Sequence, residues 1–135
     1  MDGDVIEIYT DGACSGNPGP AGAGAVMIWK GHTKEISEFL GNATSNIAEL
    51  TAVKLALRAI KDRKVRVRVH VDSTYTLGLL SLGWNAKANR ELVAELRALV
   101  ASFASIKFIK VPAHAGVPMN ERADELARAA VARKK

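Results

Sequence analysis

Between positions 65 and 71 the chain alternates without a break: Val65, Val67, Val69 and Val71 are separated by Arg66, Arg68 and His70, and the run stops at Asp72. A period of two builds a strand with one apolar and one polar face. Upstream, Thr44, Ser45 and Asn46 offer three helix caps, after which Ile47, Leu50, Val53, Leu57 and Ile60 recur at helical spacing. A helix feeding such a strand is a crossover, which lets the strand pair in parallel with an earlier one. Earlier β-rich runs cover residues 5–10, 21–29 and 33–40, with Lys30-Gly31-His32 suited to a tight antiparallel hairpin. Later, helical patterns over 74–82 and 89–101 flank Gly83-Trp84, and a strand over 106–111 is stopped by Pro112. Beyond a loop at 113–119, Asn120 is placed to cap a last helix that turns Ala123, Leu126, Ala127 and Ala130 inward. This order predicts an α/β fold, a mixed sheet covered by helices.

Composition removes several classes. At 135 residues the chain is about one domain long, and 48% hydrophobic with 24% charged residues is ordinary globular usage, unlike disordered, collagen-like or coiled-coil chains. No segment approaches the ~18 uninterrupted apolar residues of a membrane span. The start, Met1-Asp2-Gly3-Asp4, is acidic where a secretory signal is basic. One cysteine, Cys14, makes neither an internal disulfide nor a cysteine-based zinc site, so a reducing, cytoplasmic setting is expected. With 19 Lys and Arg against 14 Asp and Glu the net charge is +5, which suits a nucleic-acid binder. Aromatic residues at 5% argue against a broad base-stacking platform.

Four acids stand in telling places. Asp11 and Asp72 each end a predicted strand, and ligands of open α/β sheets bind beyond the carboxyl ends of strands. Taken alone, either one reads first as a turn former or helix cap. Glu49 shares a helix stripe with Ala52, Val53, Ala56 and Ile60, an expensive place for a carboxylate unless it is paired or metal-bound. It also stands three residues after Asn46, the spacing of a capping box. Asp124 lies early in the last helix, where the macrodipole favours acids, with Ala127 one turn on. Brought together, such carboxylates repel by ~4 kcal/mol per pair at an effective dielectric of 20, so a cluster calls for divalent cations. Oxygen ligands without a cysteine pair or histidine triplet select Mg²⁺ or Mn²⁺ rather than zinc. Gly12-Ala13-Cys14-Ser15-Gly16 does not satisfy the P-loop pattern. Phosphodiester hydrolysis by two metals fits what remains.

Four blocks in order carry a resemblance: Thr10-Asp11-Gly12-Ala13-Cys14-Ser15-Gly16-Asn17-Pro18-Gly19-Pro20, Thr44-Ser45-Asn46-Ile47-Ala48-Glu49-Leu50, Val71-Asp72-Ser73, and His114-Ala115-Gly116 followed by Asn120-Glu121-Arg122-Ala123-Asp124-Glu125-Leu126-Ala127. Together they resemble ribonuclease H of type 1, from about Tyr9 to Ala130. The resemblance implies a five-stranded mixed sheet flanked by helices, with residues 1–135 forming one ribonuclease H domain whose core spans about 5–132. It implies an endoribonuclease that cuts the RNA strand of RNA–DNA hybrids and leaves 5′-phosphate and 3′-hydroxyl ends. By analogy, Asp11 bridges two Mg²⁺ ions (Mn²⁺ a possible substitute). Asp124 helps hold the ion that activates water, and Glu49 and Asp72 help hold the ion at the leaving oxygen. His114 would assist proton movement or product release, and Glu121 would support the metal site from nearby. Gly12, Ala13, Cys14, Ser15, Gly16 and Asn17, with Ser45 and Asn46, resemble the part that reads 2′-hydroxyls, the groups that distinguish RNA from DNA. Thr44 and Asn89 match positions that hold a DNA phosphate, and Trp84 one that packs against deoxyribose. For these last three, capping and packing are the plain alternatives.

The chain departs from some members of that family. Between Trp84 and Asn89 lie only Asn85, Ala86, Lys87 and Ala88, so the long basic protrusion of many bacterial members is missing. Ser45 and Thr74 stand where amides are often found, which would soften hybrid contacts. Arg63, Lys64, Arg66 and Arg68, and the tail Arg133-Lys134-Lys135, are basic patches expected to be mainly a solvated face and a chain end. His32 and His70 read as hairpin and strand-surface residues. The expected partner is the hybrid alone, with no membrane and no obligate protein partner, and the chain acting as a monomer. A catalytically silent hybrid- or RNA-binding module is the competing reading, marked by loss of one metal acid; none is lost. A recombinase core or exonuclease of the same superfold is a third.

Overall fold

The computed structural model describes residues 5–112 and 116–133. Its elements follow in the order β1 (Val5–Cys14), β2 (Gly19–Trp29), β3 (His32–Ala43), α1 (Ser45–Arg58), β4 (Arg66–Val71), α2 (Thr74–Ser81), α3 (Arg90–Ala101), β5 (Ser105–Lys110) and α4 (Pro118–Ala132). They form one five-stranded sheet in the order β3-β2-β1-β4-β5. The first three strands are an antiparallel meander. Beyond it, β4 pairs in parallel with β1, and β5 in parallel with β4. The expected element order and mixed sheet are thus present.

The β2–β3 hairpin turns on two residues, Lys30 and Gly31, both at positive φ (49° and 80°), with Trp29 paired to His32. Two left-handed residues in a two-residue loop match the twist of the flanking strands. Alternation then sorts the sheet. Ile6 and Ile8 of β1 and Val67, Val69 and Val71 of β4 enter one core with Leu50, Val53 and Leu57 of α1 and Val93 and Leu96 of α3. On the other face, α4 lays Ala123 and Leu126 against Val26, beside Tyr9, Ile28 and Met119. Each large side chain fully buried in this way contributes about 1.5–3 kcal/mol.

Several boundaries differ from the sequence reading, each for a local reason. β1 does not stop at Thr10; it continues through Asp11 and Gly12 to Cys14 because β2 supplies partners as far as Cys14↔Ala21. Asp11 is therefore a strand residue, and the parallel ladder to β4 ends just before it, at Tyr9↔His70. Thr44 caps α1, its Oγ1 accepting from Ile47 N at 3.2 Å. That removes the capping box proposed for Glu49 and Asn46, since Glu49 lies beyond the capped turn. Asn120 does not cap α4, which begins two residues earlier at Pro118; Asn120 is a buried residue of the first turn. Asn89 occupies the cap position of α3 but makes no side-chain cap bond. No helix among the described residues is long and apolar enough to cross a membrane.

Candidate active site

Asp11, Glu49 and Asp72 meet at the carboxyl edge of β4, each offering an oxygen within 4.8 Å of the other two. Strand order accounts for two of them. β1 and β4 are parallel neighbours, and Asp11 and Asp72 stand one alternation beyond their last paired residues, Tyr9 and His70. Asp72 is not a helix cap, because Ser73 fills that role for α2, its hydroxyl accepting from Thr76 N at 3.1 Å.

The helical acids are admitted by missing side chains. A Cβ on Gly12 would lie 2.6 Å from the backbone of Ala48 and Glu49, so only glycine lets α1 sit directly on β1 and carry Glu49 to Asp11. Directly across from Asp11 in the sheet is Gly24, where a Cβ would lie 2.2 Å from the carbonyl oxygen of Ala123. That close approach seats α4 and brings Asp124 into hydrogen-bond contact with Asp11. Asp124 also accepts from Arg128 Nε at 2.9 Å, one turn along. It is not part of the three-acid group, and its exposure is intermediate.

Charge crowding shows in the protonation behaviour. Burial pushes Asp11 upward from the ordinary carboxylate range, and the neighbouring charge of Asp72 adds to this, opposed by bonds from Glu49 and from Gly12 N. Burial pushes Glu49 up more strongly, reinforced by the charge of Asp11. Asp11 Oδ1 accepts from Gly12 N at 2.9 Å, a single backbone donor against three acidic neighbours. A crowded all-carboxylate group is the environment a hard divalent cation completes.

Around this centre the remaining candidates form two groups. Asn17 Oδ1 accepts from Ser45 N at 2.9 Å, joining the loop after β1 to the start of α1. Cys14 Sγ lies 3.1 Å from Ala43 O and also donates to Gly16 O, so Cys14 holds the same junction together from inside. Ser15, Gly16, Asn17 and Asn46 are exposed here, with Gly12, Ala13, Thr44 and Ser45 partly so. In the second group, Asn89 Nδ2 donates to Tyr75 Oη at 3.3 Å, tying α3 to the start of α2, where Thr74 is exposed. Trp84 is 45% exposed, and its indole covers Gly78 of α2.

Two expectations find no such placement. Glu121 is exposed in the first turn of α4 and stands outside the three-acid group. His114 lies outside the described residues. The basic run is solvated in part, as expected: Lys64 and Arg66 are exposed, whereas Arg63 bonds Ile60 O and rests on the Phe103 ring, and Arg68 pairs with Glu7. His70 is the residue the sequence reading missed. It is not a strand-surface group, because its ring stacks on Tyr9 at 4.2 Å and its Nε2 lies 2.7 Å from Glu7 Oε1. The signal was present in the alternation that puts Glu7, Tyr9 and Asp11 on one face of β1.

A mixed sheet whose parallel strands β1 and β4 bring carboxylates together where their pairing stops, faced by acids from two helices, defines a class of hydrolytic enzyme whose acids suit an oxygen-ligated metal. Comparison with known proteins narrows the class. The RNase H family profile matches residues 3–132. The chain is 42% identical to a ribonuclease H of Desulforamulus reducens, with 93% of this chain and 86% of the relative covered. It is 41% identical to one of Moorella thermoacetica, covering 94% and 91%. RNase H1 of the archaeon Halobacterium salinarum superposes with a TM-score of 0.84 at 32% identity, over 96% of this chain and 99% of that one. LC11-RNase H1, solved in complex with an RNA/DNA hybrid, superposes with a TM-score of 0.80 at 32% identity, over 94% and 96%. The chain belongs to the ribonuclease H family. Only residues 82–89 join α2 to α3, and no basic protrusion interrupts them.

Proposed function

We propose that this protein is an endoribonuclease that hydrolyses the RNA strand of RNA–DNA hybrids, leaving 5′-phosphate and 3′-hydroxyl ends. The observation that carries the reading is the meeting of Asp11, Glu49 and Asp72 within 4.8 Å at the sheet edge. Family membership and the hybrid bound to LC11-RNase H1 support the substrate class. The donor set fits Mg²⁺, with Mn²⁺ a substitute, because it is all oxygen and crowds carboxylate charge together. Asp11, Glu49, Asp72 and Asp124 would hold two such ions. When bound, the ions supply an activated water and neutralise charge on the scissile phosphate.

The chain's own residues position the substrate. Gly12 to Asn17 with Thr44, Ser45 and Asn46 lie beside the acids and would read 2′-hydroxyls through backbone and amide groups. Thr44, at the N-terminus of α1, and Asn89, at that of α3, would hold a DNA phosphate, since helix starts present free N–H groups. Thr74 and Trp84 would line the DNA side. His114, two residues after Pro112, would move a proton near the cut, a task for which imidazole chemistry is suited. Glu121 would support the acids from the start of α4.

A labelled hybrid, with single- and double-stranded RNA and DNA as controls, tests the reading. Cleavage is expected in the RNA strand of the hybrid alone, and only with added Mg²⁺ or Mn²⁺. Cleavage that persists in chelator would overturn the metal assignment, and cleavage of duplex RNA at a similar rate would overturn the substrate. His114→Ala is expected to slow turnover about a hundredfold or more without abolishing it, within the range of general acid–base contributions.

A further inference from the structure

The two strands that lead to Asp11 and Asp72 are fastened together on the same face by residues that stand outside the acid cluster. Glu7 stands opposite Arg68, and Tyr9 opposite His70, in the parallel register of β1 and β4. With a period of two, Glu7, Tyr9 and Asp11 share one face, as do Arg68, His70 and Asp72. Glu7 accepts from Arg68 Nε at 2.8 Å through Oε2, and its Oε1 lies 2.7 Å from His70 Nε2. The His70 ring then lies almost flat on Tyr9, 9° from parallel with centroids 4.2 Å apart. Tyr9 also packs against the cluster that Ala123 and Leu126 of α4, the helix that delivers Asp124, form with Val26. The side chains therefore rise in three steps: an ion pair, a ring stack, and then the carboxylates.

We infer that Tyr9 and His70 are positioning residues for the metal centre, setting the separation and direction of Asp11 and Asp72 through a ring stack that Glu7 anchors from below. Beyond Tyr9↔His70 the two strands share no further paired residues. The stack is the last tie between them before the acids, and β1 goes on alone with β2. A His ring whose Nε2 is held by Glu7 cannot swing away, and a Tyr ring flanked by α4 cannot follow it if it did. Both acids inherit that fixity one alternation later. The backbone ladder sets strand spacing, but it does not set how far side chains on this face lean toward each other; two flat rings in contact do. The inference rests on the metal reading proposed above and goes beyond it, because it assigns a role to residues that touch no ion.

The test pairs Tyr9→Leu, which keeps an apolar side chain and loses the flat ring, with Tyr9→Phe, which keeps the ring. Binding of Mn²⁺ to each protein is measured by calorimetry, alongside kcat, KM for the hybrid, the Mg²⁺ concentration for half-maximal rate, and Tm. Tyr9→Leu is expected to weaken Mn²⁺ binding and raise the half-maximal Mg²⁺ concentration about fivefold, with kcat lower and KM within twofold. Tyr9→Phe is expected to restore the wild-type values. His70→Leu, which breaks the stack from the other strand, should repeat the Tyr9→Leu pattern if it folds. Unchanged Mn²⁺ binding and Mg²⁺ dependence in a folded Tyr9→Leu protein would overturn the inference. So would a Tyr9→Phe protein as impaired as Tyr9→Leu. Wild-type protein that binds no divalent ion would instead overturn the metal reading on which it stands.

Discussion

The two faces of the β1–β4 pair are made by alternate residues of the same short strands and behave in opposite ways. Toward α1, Ile6, Ile8, Val67 and Val69 are all buried in one apolar cluster. Toward α4, the same strands present Glu7, Tyr9 and Asp11 beside Arg68, His70 and Asp72, nearly all titratable and mostly half-buried. The apolar face supplies stability without direction. The polar face supplies direction, and in the metal-free protein it opposes folding at its upper end, where burial and mutual repulsion push Asp11 and Glu49 upward. One alternation thus separates the part of the sheet that holds the fold together from the part that holds the site.

Substitutions should separate the two faces. Asp11→Asn is expected to cut hybrid cleavage at least about a thousandfold, since the metal centre supplies most of the charge stabilisation. Its folding should be unchanged or improved, and parallel cleavage and thermal-melt measurements check both. Ile8→Ala, on the opposite face, should do the reverse, costing about 2–5 kcal/mol in denaturant unfolding while leaving kcat of the folded fraction close to wild type.

Acidity gives a third separation. The raised Asp11 and Glu49 bind protons more tightly in the folded than in the unfolded chain. Their contribution to metal-free stability is therefore full below the unfolded carboxylate value of about 4 and is lost as pH rises through their folded values. Unfolding followed in chelator from pH 5 to 8 should show this decline. Added Mg²⁺ should flatten it, and Asp11→Asn should reduce it.

The lower end of the same polar face should show the opposite sign and a smaller effect. Burial alone would raise Glu7, but bonds from Arg68 and His70 outweigh it and hold Glu7 below its ordinary value. Its contribution is therefore present above the unfolded value and lost as pH falls through the lower folded one. Glu7→Gln should cost about 1 kcal/mol or less near neutral pH, because the pair is partly open to solvent. The cost should vanish in acid.

The same contrast explains what the sequence could disclose. Apolar periodicity survives in isolation, so β4, α1 and the inward face of α4 are readable from valines, leucines and alanines alone. Glu49 is conspicuous for a related reason, as a charge interrupting an apolar stripe. The Asp11-to-Cys14 extension of β1 is not readable that way: it is built of Gly, Ala and polar residues that favour turns, and it becomes a strand only because β2 lies alongside. The packing of His70 was only half readable: the alternation of β1 puts Tyr9 on the right face, but a histidine alternating with valines looks solvated until a tyrosine three strands earlier is laid over it. Asn120 misled for the opposite reason: a good capping residue sat two positions inside the true helix start, after Pro118, which is itself favoured in a first turn.

Gly24 has a consequence for how the molecule assembles. It is the residue that faces both Asp11 across the meander and the backbone of α4 across the layer. A slip of one position between the first two strands would turn Ala23 or Ala25 toward that helix, and every neighbouring side chain would change sides with it. The helix α4 would then find no seat. The helix α4 therefore seats only on the alignment of β1 and β2 that sets Gly24 opposite Asp11, the alignment in which the acids can meet.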